Sequence, residues 1–434
     1  MNEIDIELAG GLTRPGMLRV LPGSALWTAL RLRSAMSAAK VPVLTASPPT
    51  ITVPGATNPY GSGDTFFHAP DVRDKCFTFL RGAWDEYNVG GTRYMGPGAV
   101  VTYSATSTTG GSAPMVAFNS DAPDLALAFR SPTGGVRILI KDEFAHEGGL
   151  AINEGAGAPW HIRIENGTRK PRLYEIYAAG NFYFRGVRCA SPLDRVWPAP
   201  KPYDDLRGVI IGDSFTEGGA NGLPTDLWGY GFGASLPYHL GTRDLRASGS
   251  GATGYLADAV GTRYNAFQRL GDLTSVNPHF ALLTLGTNDS ESVMSAEQQV
   301  SDYLDLAQAA LPHCLFFVYS KFSNSFPSTY DASSQYRAGQ RAACAGRKNV
   351  WYTDTVGYTQ AGPNYPHTAW IIGGGAVYAP NGLGNADLAI GRPAPYSPDP
   401  THPNEWGHQQ VYAPRMAASI RYGLDQMIAQ DLLV

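Results

Sequence analysis

A short apolar run, Val209-Ile210-Ile211, stops abruptly at Gly212-Asp213-Ser214. Three branched apolar residues ending in a turn read as a strand buried on both faces, the kind found in parallel sheets. The chain after it repeats that theme. Strand candidates at Asp244–Ala247, Phe280–Leu285, Leu315–Tyr319 and Val350–Thr353 alternate with helical patterns. These lie at about Leu227–Leu240, Arg263–Leu273, Ala296–Leu311, Ser334–Arg347, and Glu405 to about Gln430. Such alternation predicts a doubly wound α/β domain over 207–434, a parallel sheet with helices on both faces. The first strand then delivers Ser214 to the carboxyl edge, where ligands of such sheets bind. An insertion at about 354–398 is too long for an ordinary connection and rich in Gly, Pro and aromatic residues.

The region before it has a different period. Residues 46–197 carry short runs, many alternating apolar with polar. They are Cys76–Leu80, Ala99–Tyr103, Met115–Phe118, Leu125–Phe129, Val136–Ile140, Trp160–Glu165, Arg172–Ala178 and Phe182–Arg188. Turn dipeptides such as Gly134-Gly135 and Asn166-Gly167 separate some of them. This predicts an all-β sandwich of jelly-roll type. Pro198, Pro200 and Pro202 stiffen a linker at 198–206. Residues 1–45 form a further segment, in which Ser24 to Lys40 reads as a helix with Ser24 as N-cap. Two readings of it stay open: a helix packed on a neighbouring domain, or an anchor that docks onto a larger assembly.

Composition narrows the function classes. At 43% hydrophobic and 16% charged, the 434 residues can build sizeable cores. A net charge of −4 without a basic block gives no footprint for nucleic acid. No apolar run reaches the roughly 18 residues of a membrane span. The acidic start MNEIDIELAGG lacks the basic opening of a secretory signal. Cys76, Cys189, Cys314 and Cys344 form no C-x-x-C pair, so a zinc cluster is not expected; they read as buried thiols or at most one disulfide.

A serine nucleophile needs a base, a group to orient the base, and donors for an oxyanion. Asp399-Pro400-Thr401-His402 puts a carboxylate three residues ahead of a histidine, which can fix the tautomer of a general base. Alone, the pattern is also what a surface loop without a role would show. Gly286-Thr287-Asn288-Asp289 follows a strand, and Asn288 there is either a side-chain oxyanion donor or a turn residue. Gly249-Ser250-Gly251-Ala252-Thr253-Gly254 matches the dinucleotide-binding pattern, with Asp272 downstream. It follows the second strand, however, and the first already ends in a serine; the competing role is a glycine that exposes an N–H to the reacting centre. G-x-S-x-G and H-E-x-x-H are absent. Asp399, His402 and His408 make no compact ligand set, so neither metal nor cofactor is expected.

Taken in order, GDS, SG, GTND and DPTH on one α/β region resemble the SGNH (GDSL) hydrolase superfamily. The resemblance covers about 207–430 and implies a three-layer sheet of flavodoxin type. It implies Ser214 as nucleophile, His402 as base and Asp399 as its partner. The oxyanion donors it implies are the N–H groups of Ser214 and Gly251 and the amide of Asn288. One departure is Arg246, where an asparagine often opens the second block. A jelly roll before such a domain resembles carbohydrate esterases that remove acetyl groups. Aromatic residues near the blocks (Trp228, Tyr230, Tyr255, Tyr365, Trp370, Tyr378, Tyr396 and Trp406) could pack against sugar faces or simply fill the core.

The expectation is therefore a carbohydrate O-deacetylase with an acylated polysaccharide as substrate. The alternative is a virion or particle spike that binds surface glycan, with the hydrolase domain secondary or inactive. In that reading residues 1–45 meet an assembly partner. Action outside the cell would then come by release of a particle; a cytoplasmic site and self-association both stay open.

Overall fold

The computed structural model describes residues 4–6, 18–81, 84–97, 114–130, 136–141, 143–145, 150, 159–178, 183–199, 206–217, 231–259, 263–322, 330–355 and 407–433. The C-terminal half holds a five-stranded parallel sheet: β1 (Arg207–Gly212), β2 (Asp244–Gly249), β3 (Phe280–Thr284), β4 (Leu315–Tyr319) and β5 (Val350–Thr353). Their order is β2-β1-β3-β4-β5, all parallel, the flavodoxin-type arrangement. The strands have apolar side chains on both faces because both are covered. Ile210, Leu282 and Phe317 face one core, Val209, Leu283 and Val318 the other.

Helices fill the two outer layers. On one side lie α1 (Ala25–Ser37), α2 (Phe232–Leu240) and α6 (Ala413–Ala429); on the other lie α3 (Leu270–Thr274), α4 (Ala296–Ala310) and α5 (Tyr330–Cys344). Ser24 caps α1 by accepting from the Trp27 amide at 3.2 Å, as its position suggests. The helix buries Ala25, Ala29, Leu32 and Met36 in the same core as Ile210 and Ile420, and Leu26 and Leu30 lie on its flank. Arg33 pairs outward with Asp425 of α6 at 3.0 Å. A segment far upstream in the chain thus supplies part of one helical layer of the α/β domain.

Two seven-stranded sheets make the sandwich. One runs Thr50–Gly55, Pro159–Glu165, Asp124–Arg130, Tyr183–Cys189, Thr92–Pro97 and Trp84–Val89, with Thr65–His68 added on Tyr183–Cys189. The other runs Val196–Pro198, Met115–Ser120, Arg172–Ala178, Val136–Ile140, Glu143–Phe144 and Val43–Leu44, with Thr78–Leu80 added on Met115–Ser120. Leu127, Phe129, Ile162, Ile164, Ile176 and Val187 meet between them.

Two local expectations need correction. Cys76–Leu80 is not one strand: Arg73–Cys76 makes a helical turn, and only Thr78–Leu80 pairs. Arg263–Leu273 is helical only from Leu270, because the preceding loop is tied down by side chains described below. Part of the span expected around Leu227, and the Ala99–Tyr103 run, lie outside the described residues. All four cysteines are buried free thiols.

The two domains share a buried junction. Arg81, at φ 63° on the sandwich, donates its amide to Asp244 Oδ1 at 2.8 Å and its Nε to the Arg243 carbonyl at 3.2 Å. Its guanidinium lies over Tyr177 of the sandwich and Tyr238 of α2. Arg243 in turn meets Glu175 at 3.0 Å. Met115, Ala117, Leu139, Ala199 and Ala234 close the apolar part of the same junction.

Candidate active site

β1 ends in a turn that only glycine permits. A Cβ on Gly212 would collide with the hydroxyls of Thr216 and Thr284, which bond each other at 2.6 Å. Ser214 opens one helical turn, Ser214–Glu217, directly after it. Asp213 organises this turn. Its Oδ1 accepts from the Phe215 amide at 3.0 Å, and its carbonyl accepts from the amides of Thr216 and Glu217. Complete burial pushes the Asp213 carboxyl up to about 7, against the Phe215 hydrogen bond that favours its charged form.

β2 brings the second block alongside. Ser250 donates its amide to the Gly212 carbonyl at 3.1 Å. Gly251 then packs so tightly that a Cβ would collide with Arg263 Nη1 and lie 2.6 Å from Glu217 Oε2 and 3.4 Å from Ser214 Cβ. The next residue, Ala252, takes φ 60°. The Gly251 amide donates to Glu217 Oε2 at 2.5 Å, and Arg263 Nη1 approaches the same oxygen at 3.5 Å. Asn288, past the end of β3, donates Nδ2 to the Thr253 carbonyl at 2.9 Å.

Ser214, Gly251 and Asn288 therefore come from three adjacent strand ends, and the structure brings them to one edge of the sheet. Asp399 and His402 lie outside the described residues. So do Trp228, Tyr230, Tyr365, Trp370, Tyr378, Tyr396 and Trp406. Tyr255 is fully buried against Tyr303, a core residue. His408 is buried beside Phe232 and Tyr412. Arg246 sits mid-strand, buried, 3.9 Å from Asp272, and burial lowers its pKa to about 10. It belongs to the layer of α3 and leaves the second-block loop to other residues.

Four residues of the site escaped sequence reasoning. Arg269, fully buried, donates to the Ser248 carbonyl at 2.7 Å, the Gly212 carbonyl at 2.9 Å and the Tyr264 carbonyl at 2.9 Å, and reaches Ser248 Oγ and Thr253 Oγ1. One guanidinium thus clamps the ends of β1 and β2. Asp289 accepts from the amides of Tyr255, Leu256 and Ala257 at 2.7, 2.9 and 2.8 Å and so shapes the loop after β2. Glu217 and Arg263 complete the set. Asp289 stood inside the quoted GTND block and Glu217 three residues beyond GDS; Arg263 and Arg269 carried no signal beyond their charge.

The match to a family model spans residues 210–410, under the description GDSL-like Lipase/Acylhydrolase family. This region is a GDSL-like lipase/acylhydrolase domain. The GDSL domain and the sandwich together have the fold of several solved structures. A family two carbohydrate esterase from Clostridium thermocellum in complex with cellohexaose has TM-score 0.54 at 13% identity, covering 80% of this chain and 99% of its own. A salicylyl-acyltransferase from a tetracycline biosynthetic pathway has TM-score 0.53 at 15% identity, covering 88% and 98%. An acetyl xylan esterase from the rumen bacterium Butyrivibrio proteoclasticus has TM-score 0.52 at 12% identity, covering 84% and 99%. A search of curated protein sequences finds no match. Among the described residues no helix is long and apolar enough to cross a membrane, and no three His, Cys, Asp or Glu side chains are grouped to hold a metal.

Proposed function

We propose that this protein is a serine esterase that removes acyl groups, O-acetyl foremost, from polysaccharide. The observation that carries the reading is the convergence of Ser214, Gly251 and Asn288 on one edge of a GDSL domain. In this mechanism His402 takes the proton of Ser214 as the hydroxyl attacks the ester carbonyl, and Asp399 steadies the imidazolium. The tetrahedral oxyanion is held by the amides of Ser214 and Gly251 and by Asn288 Nδ2. Collapse expels the sugar hydroxyl, protonated by His402. Water, activated by the same base, then releases the acid. The polysaccharide choice draws its support from solved structures of like fold, a family two carbohydrate esterase and an acetyl xylan esterase among them, and from the sandwich that precedes the catalytic domain.

Acetate release from acetylated glycan, and from a small aryl acetate, tests this. Ser214→Ala is expected to lose about 10³-fold or more in kcat. Equal rates for the two proteins would refute the esterase. Cleavage of the aryl ester without any release from glycan would keep the esterase and remove its substrate.

A further inference from the structure

The oxyanion hole of this proposed esterase contains a contradiction that the sequence motifs do not announce. The Gly251 amide, a donor the reaction needs, is spent on a carboxylate: Glu217 Oε2 accepts it at 2.5 Å. Glu217 is buried. A buried negative charge beside the atom where negative charge must develop opposes catalysis, since like charges repel strongly where water is excluded. Arg263 answers this charge. Its Nη1 stands 3.5 Å from the same Glu217 oxygen and crowds the Cα of Gly251, on the side where Ser214 Cβ also lies. The Arg263 side chain keeps 35% of its surface exposed, so it links the buried carboxylate to solvent.

We infer that Glu217 and Arg263 are a charge-compensated positioning pair for the oxyanion hole, with Glu217 holding the Gly251 amide in the resting enzyme and handing it over by moving onto Arg263. The inference rests on the esterase reading above. The Gly251 amide and Arg263 Nη1 meet the same Glu217 oxygen, so a small rotation of the carboxylate exchanges a short bond to the amide for a closer pairing with the guanidinium. The amide then faces the substrate carbonyl oxygen. Glu217 has a second task while at rest. It pins the residue before Ala252, whose left-handed backbone an alanine does not favour. Neither residue touches the reacting atoms in this scheme; both act through Gly251.

The test is a charge cycle in the full-length protein with an aryl acetate substrate. Arg263→Met leaves the Glu217 charge bare and is expected to lower kcat about 10²-fold, the scale of one lost oxyanion donor, with KM little changed. Adding Glu217→Gln removes the bare charge and is expected to restore most of that loss. A residue that served only folding would not be rescued by neutralising its partner. Arg263→Lys keeps the charge and is expected to lose less than about 10-fold. The Gly251 amide proton gives a reading independent of turnover: its NMR resonance should move upfield in Glu217→Gln as a charged acceptor becomes neutral. If Arg263→Met keeps the wild-type kcat, or the double variant is no faster than Arg263→Met, the pairing is wrong while the esterase stands. If wild type and Ser214→Ala are equally inert, the esterase reading falls and takes the pairing with it.

Discussion

The sandwich and the active edge of the GDSL domain bury their polar groups in opposite ways. Between the two sheets the core is made almost wholly of side chains such as Leu127, Phe129, Ile162 and Ile176, and it holds by area removed from water. At the ends of β1 and β2 the buried side chains include Asp213, Glu217, Arg269 and Asp272. Apolar packing fixes volumes but leaves small shifts cheap. A guanidinium that bonds the Gly212 and Ser248 carbonyls fixes two strand ends to within a hydrogen-bond length. One region supplies stability, and the other uses buried charge to hold the strand ends beside which Ser214, Gly251 and Asn288 stand.

The sharpest way to break this comparison is Arg269→Met. It removes a buried donor from the Ser248 carbonyl and from the Gly212 carbonyl, which keeps the Ser250 amide, and so loosens both strand ends. We expect a loss of about 3–5 kcal/mol in denaturant unfolding. We also expect about 10²-fold lower kcat in the protein that stays folded, from misplacement alone. A loss of stability with unchanged kcat would show that the clamp serves packing only.

Asp213→Asn comes next. Burial lifts the folded-state pKa from 3.8 to about 7, so the folded protein binds the proton more tightly than the unfolded chain. The cost of ionising Asp213 is absent below about pH 4, grows as pH rises, and is complete above about 7. It amounts to roughly 4 kcal/mol. Asparagine keeps the acceptor for the Phe215 amide and cannot ionise. The stability difference between variant and wild type should therefore grow in the variant's favour from pH 4 to 7 in urea titrations. A flat difference would mean that the carboxylate is hydrated.

Ile162→Ala, in the middle of the sandwich, is the smallest of the three. A cavity there is expected to cost about 3 kcal/mol with no pH dependence, and kcat of the folded protein should stay within about twofold. A large fall in kcat would show that the sandwich core is part of the catalytic scaffold after all.

How much of this was readable follows the same division. The sheet of the GDSL domain was legible because Val209–Ile211, Phe280–Leu285 and Leu315–Tyr319 are apolar runs that can only be strands buried on both faces. That Ser214, Gly251 and Asn288 stand at strand ends was legible because each follows an apolar or strand-like run in a short pattern. The place of α1 was not, because Ser24 to Lys40 says that a helix forms and says nothing about what covers its Ala25, Ala29, Leu32 and Met36. The loop from Gly251 to Arg269 was misread as helix towards its end because propensity is local, whereas Arg269 is drawn inward by carbonyls that precede it by up to 57 positions. Glu217 was visible all along in GDSFTEG, but its engagement with Gly251 depends on two strands lying side by side, and no spacing encodes that.

The junction at Arg81 has one more consequence. Two domains on a flexible tether raise each other's local concentration and nothing else. Here a guanidinium stacked between Tyr177 and Tyr238, with Asp244 and Arg243 bonding its residue from the far side, pins the two domains together at one buried point. A polymer held against the sandwich would therefore stand at a constant offset from Ser214. On the proposed reading, such a joint would be a gauge, setting which repeat along a bound chain meets the serine.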